Sequence, residues 1–487
     1  MYYGYHLTEA YASFKEAARY DSSCAMAYWG QALSMGPYYN TYTYKMPPAV
    51  LPILAQMNGT AMQATEKEND LIDAMNKRYS PDTSDSKRNE LNRLYTARLS
   101  ELVRKYPDDI DIKAFYVDAV MLEHTWDFWD ADGNPKLWTA ELVTLCDQIL
   151  QRSPTHPAAL HYQIHLVEAS QHPEKALHNA DVLQASMPGI PHMVHMSSHM
   201  YQRNGLYAKG VEVNDRASLL QANYDSAAPN LKLGMFSLTH FDGVGAFCAI
   251  NANMYDKAMQ SSMHLRKILS TTYRPRLGNT FFQYLYMMPM FASVRSGHWE
   301  TVVSDAVPDS NLHYAVLLDH FGKGIASLRL HDAANARLHL DKLRLLLADS
   351  LLQIRNLPFN APAESGKIAE HLLAGELLLS EKKYNEAVQE LEAAVSAEHK
   401  LIYREPKEWV IPARHFLGAC LLQASRALDA EKVYREDLLA NPGNGWALLG
   451  LYQSLMKQHK TKQANQYKTA YKRAFADASE LPPASVY

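Results

Sequence analysis

Six of the chain's 21 histidines fall in two short segments, residues 156–170 and 191–205. His161 and His165 are separated by four positions, and so are His195 and His199. Residues four apart lie on one face of an α-helix, with side chains roughly 6 Å from each other, so each pair could direct two imidazoles at one point. Neutral imidazole is a common ligand for zinc, copper and iron. The spacing therefore predicts a site for a divalent transition metal, whose identity stays open.

The elements that position these histidines are predicted to be helices. Ala, Leu, Met and Tyr recur at intervals of three and four residues along nearly the whole chain, while glycine and runs of β-branched residues are scarce. The sequence therefore predicts an all-α protein. A chain of 487 residues built only of helices also suggests internal repetition, in which each unit covers the apolar face of the next.

A repeated pattern of small and aromatic residues supports that expectation. Its clearest copy places Gly418, Ala430, Tyr434 and Pro442 at the offsets typical of tetratricopeptide repeats. Earlier pairs at the same spacing continue the series: Gly375 with Ala387, Gly324 with Ala336, Ala246 with Ala258, and Ile164 with Ala176. The chain thus resembles tetratricopeptide (TPR) repeat proteins. The resemblance implies a right-handed α-solenoid of TPR-like helical hairpins, in which the first helix of each hairpin lines a groove.

We expect a single superhelix over residues 1–487, interrupted by two insertions rich in aromatic residues and proline, Pro37 to Pro52 and His124 to Trp138. Aromatic insertions of this kind either cover a groove or pack as a lid without a ligand. The predicted order is N-terminal repeats (1–36), irregular repeats with the insertions (37–140), histidine-rich repeats (141–260), degenerate repeats (261–310), and C-terminal repeats with a cap (311–487).

The resemblance also implies where the histidines lie. His161 and His165 take the same groove-facing positions on one first helix as His195 and His199 take on the next. We therefore predict that these four rings converge on one metal ion. The predicted supplementary ligands, or residues that hold the ligands, are His192, His240 and Glu168. Further groove residues that could support the site are Trp126, Asp127, Trp129, Tyr403, Glu405, Arg414 and His415.

Several longer segments resemble a group of bacterial TPR proteins, a likeness that runs nearly end to end. These segments are CAMAYWGQAL, WDFW, HPAALHYQIHLVEAS, HMVHMSSHMYQRNG, IYREPKEWVIPARHFLGA and EDLLANPGNGWALLGL. The resemblance implies no particular reaction. The metalloprotease pattern, in which glutamate follows the first histidine of a pair, is absent because Tyr162 and Met196 occupy that place. Whether the protein is an enzyme therefore stays open.

Two classes of function remain. In the first, the groove carries a histidine-rich metal site that performs oxidative or hydrolytic chemistry or binds a metal-dependent ligand. In the second, the groove binds a protein or peptide partner without metal, and the protein is a scaffold or assembly module. The net charge of −4 and a pI near 6.6 give no general attraction for nucleic acid. No apolar run is long enough to predict a membrane span.

The ends of the chain carry two further expectations. Counting back from Ala10 places Met1 partway through a first helix, so we expect the natural protein to extend upstream, with either a cytoplasmic or an exported location. The lysine-rich last helices and the closing ELPPASVY predict a polar C-terminal cap. The sequence does not determine the oligomeric state.

Overall fold

The computed structural model describes residues 1–40, 44–130, 132–229, 235–272, 274–356 and 358–487. For residues 235–238 it describes the backbone only. In these ranges the regular secondary structure is helical, apart from one isolated bridge between Trp129 and Pro135. The prediction of an all-α chain is confirmed. No helix in the described ranges is long and apolar enough to cross a membrane.

The chain divides into two compact units. The first comprises Met1–Ser197 and Leu219–Met235, and the second comprises Ser198–Ser218 and Phe236–Tyr487. The division passes through α10 (Pro191–Arg203) and α11 (Tyr207–Ala227), and it also follows the first residue of α12 (Met235–Asn251). The single superhelix expected from the sequence stays a prediction, and each unit is described by itself.

The first unit contains nine complete helices among its described residues, which we number in chain order: α1 (Leu7–Tyr20), α2 (Ala25–Met35), α3 (Val50–Thr60), α4 (Glu66–Arg78), α5 (Arg88–Lys105), α6 (Ile110–Glu123), α7 (Thr139–Arg152), α8 (Pro157–Val167) and α9 (Leu177–Ser186). Consecutive helices pack together, as α1 with α2, α5 with α6, and α7 with α8. A short 3₁₀ turn, Tyr2–Gly4, packs against α8. Helices joined by short connections must run antiparallel, which makes these pairs hairpins.

The second unit contains all of α12 (Met235–Asn251) except its first residue, and twelve complete helices among its described residues: α13 (Tyr255–Ser270), α14 (Thr280–Tyr286), α15 (Met288–Arg295), α16 (Trp299–Ser304), α17 (His313–Arg329), α18 (Ala333–Leu347), α19 (Pro362–Ser380), α20 (Tyr384–His399), α21 (Ala413–Gln423), α22 (Ala427–Ala440), α23 (Gly445–Lys457) and α24 (Thr461–Ala474). The hairpins α17–α18, α19–α20, α21–α22 and α23–α24 follow one another. Their first helices also pack in sequence, α17 on α19, α19 on α21 and α21 on α23. This arrangement is that of TPR-like repeats.

Small residues at the repeat offsets explain the close approach of these helices. Tyr434 on α22 is fully buried. A β-carbon at Gly418 on α21, or at Gly450 on α23, would overlap its ring. In the first unit, a β-carbon at Gly30 would similarly overlap the ring of Phe14. Glycine at these positions therefore lets an aromatic side chain fill the space between neighbouring helices, which maximises the buried apolar contact.

The two predicted insertions lie between helices for most of their length. The first ends inside a helix, because α3 begins at Val50, and its residues 41–43 lie outside the described ranges. The second, residues 124–138, joins α6 to α7. Trp129 Nε1 donates to the Leu166 carbonyl at 2.6 Å, which holds this segment against α8.

Candidate metal centre

Helix α8 begins in a way that the sequence explains. Proline occupies the first helical position, where a backbone N–H would have no partner within the helix. The preceding His156 accepts the Ala159 N–H through its Nδ1 at 3.4 Å. Every residue of α8 beyond Pro157 is buried. Its histidines therefore face the interior of the first unit.

His161 and His165 lie one turn apart on α8, and both are almost completely buried, at 0% and 2% exposure. Their Nε2 atoms are 3.2 Å apart. The Nε2 atom of His192, in the first turn of α10, lies 3.2 Å from the same atom of His161. Each of the three rings offers a nitrogen within 4.8 Å of the others. The structure thus brings three of the predicted ligands together in the first unit, around His161.

The outer nitrogens of two rings reveal how their protons are arranged. His161 Nδ1 lies 2.7 Å from the Tyr3 carbonyl oxygen, which can only accept, so Nδ1 carries the proton. His165 Nδ1 lies 3.0 Å from Glu168 Oε1, and an ionised carboxylate also only accepts. With Glu168 ionised, both neutral rings therefore carry their lone pairs on Nε2. Two lone pairs directed at each other across 3.2 Å repel unless a cation lies between them.

The spacing of the nitrogens fits that cation. Zinc–nitrogen bonds of about 2.0–2.1 Å in tetrahedral geometry place neighbouring ligand atoms roughly 3.3–3.4 Å apart, and octahedral geometry places them roughly 2.8–3.0 Å apart. The two observed separations of 3.2 Å fall between these values. Imidazole nitrogens supported by a carboxylate and a carbonyl suit zinc, copper or iron.

Burial keeps His161 and His165 neutral. It lowers the pKa of His165 to about 3. The pKa of His161 is also lowered well below its ordinary value of 6.5, first by burial and then by the nearness of His165. Neutral imidazole is the form that binds metal ions. At neutral pH these two rings are therefore already in the form that binds a metal ion.

Aromatic rings surround the histidines. Tyr39 and Trp126 lie 4.7 and 5.9 Å from the His165 ring, measured between centroids. Tyr5 lies 4.7 Å from His161 and 5.5 Å from His192. These rings exclude water and lower the local dielectric constant, which strengthens electrostatic interactions inside the site.

The sequence predicts only part of this aromatic surrounding. Trp126 was a predicted groove residue, and Tyr39 belongs to an insertion that was predicted as a possible cover. Tyr3 and Tyr5 were missed, because their contacts with α8 span more than 150 positions along the chain. The only local signal was the tyrosine-rich start, MYYGYH.

Glu168, Asp127 and Trp129 occupy different places. Glu168 is fully buried, and its Oε1 lies 3.0 Å from His165 Nδ1, which is the position of a residue that orients a ligand. The Asp127 carboxylate is 53% exposed and pairs with Lys136 at 3.2 Å, at the surface of the unit. Trp129 is held through its indole N–H by the Leu166 carbonyl, as described above.

The remaining predicted histidines lie on both sides of the division within α10. His195 belongs to the first unit, with its ring 6.0 Å from that of His192. His199 and His240 belong to the second unit, where their ring centroids are 5.8 Å apart. The convergence of all four predicted ligands on one ion requires residues of both units, and it stays a prediction.

The four predicted groove residues near position 410 lie in a polar cluster of the second unit. His415 is fully buried and bonds to Asp437 at 3.0 Å and to Arg295 at 2.9 Å. Arg295 donates to His415 Nδ1, so Nε2–H donates to Asp437, and both ring nitrogens are engaged. Glu405 accepts from Gln202, and the Tyr403 ring lies 5.4 Å from the Arg203 guanidinium. Arg414 is partly buried beside them.

Comparison with known proteins adds little to this description. No family model and no curated protein matches the chain. Among solved structures, the human IFIT1 dimer with m7Gppp-AAAA aligns over 98% of this chain and 95% of its own, with 10% identity and a TM-score of 0.36. Yeast Tom70 aligns over 96% and 85%, with 13% identity and a TM-score of 0.31. The P58(IPK) TPR domain aligns over 78% and 92%, with 14% identity and a TM-score of 0.21. At these TM-scores the alignments carry no argument, and the TPR-like fold rests on the helix pairs themselves.

Proposed function

We propose that the first unit binds a transition-metal ion through His161, His165 and His192. One observation carries the proposal: the Nε2 atoms of His161 and His165 lie 3.2 Å apart, while their Nδ1 atoms lie against the Tyr3 carbonyl and the Glu168 carboxylate. The Tyr3 carbonyl and the Glu168 carboxylate then act as the groups that hold the ligand rings in place. Zinc, copper and iron all suit this set of donors.

Three protein ligands leave a further coordination position for water or for an oxygen atom of a substrate. This is the arrangement of metal centres that perform chemistry, whereas purely structural zinc sites fill all four positions with protein atoms. His192 is the most exposed of the three rings, because it is only partly buried while the other two are fully buried. We therefore place the open position on the His192 side. His195, which belongs to the same unit, is proposed as a residue that supports the site.

The metal content of the purified protein tests the proposal. Protein prepared without added ions, and again after dialysis against zinc, copper(I) or iron(II), should retain about one ion per chain by mass spectrometry. Replacing His161 by alanine removes the nitrogen that both short distances share, and should abolish retention. His178→Ala on α9, where the histidine is exposed, is the matched control and should retain the metal.

A wild-type protein that retains none of the three metals would overturn the proposal. In that case Glu168 would be protonated and donate to His165, and His165 Nε2–H would donate to His161. Nitrogen-15 NMR of the histidine rings distinguishes the two arrangements, because they place the His165 proton on different atoms. The protein would then return to the scaffold class, with a groove that binds a partner without metal.

A further inference from the structure

The segment that follows α24 lies across the first helices of the second unit. Side chains from separate helices or their ends donate to its main-chain oxygens. Asn253 donates to the Glu480 oxygen at 2.9 Å, and Gln453 to that of Pro483 at 2.6 Å. Arg295 donates to the Ser485 oxygen at 3.1 Å, and Arg329 to that of Tyr487 at 2.6 Å. The segment is thus held mainly through its backbone, as extended peptides are held in binding grooves.

Side chains add selectivity at the end of the segment. Ser485 is 1% exposed; its hydroxyl lies 2.6 Å from the Tyr434 hydroxyl and donates to the His415 carbonyl at 3.0 Å. The Tyr487 ring lies 6.0 Å from that of Trp446, against Gly297, where a β-carbon would crowd it. The groove therefore favours a small hydroxyl residue followed, two positions later, by an aromatic residue.

The two arginines that hold the segment are also held by partners outside it. Arg329 Nη2 pairs with Glu376 at 2.6 Å. The Arg295 guanidinium lies 3.6 Å from the Trp446 ring and also donates to His415. These side chains would keep their positions if the segment left. A preorganised set of donors lowers the cost of binding, which is a property of a recognition surface rather than of a strap that orders its own contacts.

A cavity of about 660 Å³ adjoins the segment. Its lining includes Leu422, Tyr452, Met456 and Lys457, together with residues 484–487. A cavity of this volume can accept several further side chains. Upstream of Ser485, Leu481 is 52% exposed and Pro483 is exposed, whereas Pro482 is buried. The groove is therefore larger than the segment it holds.

We propose that this surface is a docking groove for an extended partner peptide with a serine or threonine, an aliphatic residue and an aromatic residue in succession, and that residues 480–487 occupy it in cis. Binding of the partner then requires release of the chain's own segment. This inference does not depend on metal binding by the first unit. It also changes the expected role of ELPPASVY, from the end of a polar cap to an intramolecular competitor.

Fluorescence anisotropy with a labelled peptide of residues 480–487 tests the proposal on the full chain. Ser485→Arg removes the hydroxyl that contacts Tyr434 and His415 and places a charge at a position that is 1% exposed, so it should expel the chain's own segment. Removing a tethered competitor should tighten peptide binding by about tenfold or more relative to wild type. Adding Arg329→Ala should cancel this gain. Adding Arg337→Ala, a change at a 58% exposed arginine of α18, is the matched control and should preserve it.

Two further measurements make the outcome decisive. Tyr487→Ala weakens the binding of the chain's own segment without forcing a large side chain into the groove, so it should give a smaller increase in peptide affinity. This variant also tests the proposal if the Ser485→Arg variant does not fold. A peptide carrying arginine at the position of Ser485 should not bind. Equal peptide binding by wild type and Tyr487→Ala, with native helical content in both, would overturn the proposal and leave the segment as a permanent structural contact.

Discussion

Replacing Glu168 by glutamine tests whether this carboxylate holds His165 in the tautomer that can bind metal. Glu168 is fully buried, and its Oε1 lies 3.0 Å from His165 Nδ1. Glutamine preserves the shape of the side chain but removes the charge, so Nδ1–H loses a charge-assisted acceptor. Loss of such a supporting group typically weakens metal binding by about 10- to 100-fold, which corresponds to about 1.4–2.7 kcal/mol. Because burial keeps bulk water from replacing the carboxylate, we expect the upper half of that range.

A competition titration of zinc against a chromophoric chelator measures the effect. The matched control is Glu174→Gln, because Glu174 accepts from His172 at 3.1 Å in the same way, but both side chains are more than half exposed. The control should bind zinc within about twofold of wild type, since exposed pairs contribute little. Glu168→Gln protein that has native circular dichroism and binds zinc as tightly as wild type would refute the assigned role of Glu168.

Three further predictions follow from the same contacts. Zinc at about 100 times its Kd should raise the free energy of unfolding by about 2.7 kcal/mol, measured by urea titration, and His161→Ala should show no such increase. Tyr434→Ala should destabilise the second unit by about 3–5 kcal/mol, because it empties a fully buried space between three helices. Burial lowers the pKa of both His320 and His339 to about 4. Unfolding lets both rings take up protons at a higher pH, so their contribution to the free energy of unfolding should be fully present above pH 6.5 and should fall as the pH decreases toward 4. Since both rings are partly exposed, the loss should be about 1–3 kcal/mol, and a His320→Asn/His339→Asn double variant should show a smaller loss over that window.

The histidine pairs illustrate how far sequence reasoning reaches. The periodicity of a helix requires that His161 and His165 share a face, because residues four apart recur after about one turn. Repeat offsets also placed glycines next to large side chains, and the structure confirms this at Gly418 and Tyr434. Both results depend on short-range geometry or on the packing of adjacent repeats, which a sequence pattern encodes directly.

The groups that complete the candidate site are different in kind. The Tyr3 carbonyl contacts His161 across 158 positions, and a backbone oxygen carries no sequence signature. Tyr5 adopts a left-handed backbone conformation, with φ of 56°, that the residue type does not predict. Sequence spacing could not show that residues 480–487 return to Arg295 and Arg329, because that path depends on which helices stack and in what order.

By itself, therefore, the sequence determined the helical class, the hairpin repeats and the faces on which the paired histidines lie, since each of these follows from periodicities of a few residues or a few tens of residues. Only the tertiary structure decided that His192 lies 3.2 Å from His161, and that a carbonyl from the start of the chain and the buried Glu168 carboxyl lie against the outer nitrogens of the two α8 histidines. The physical reason is that a metal site depends on the distances and proton positions of a few atoms. Those are set by packing between distant segments and not by the pattern of any one of them.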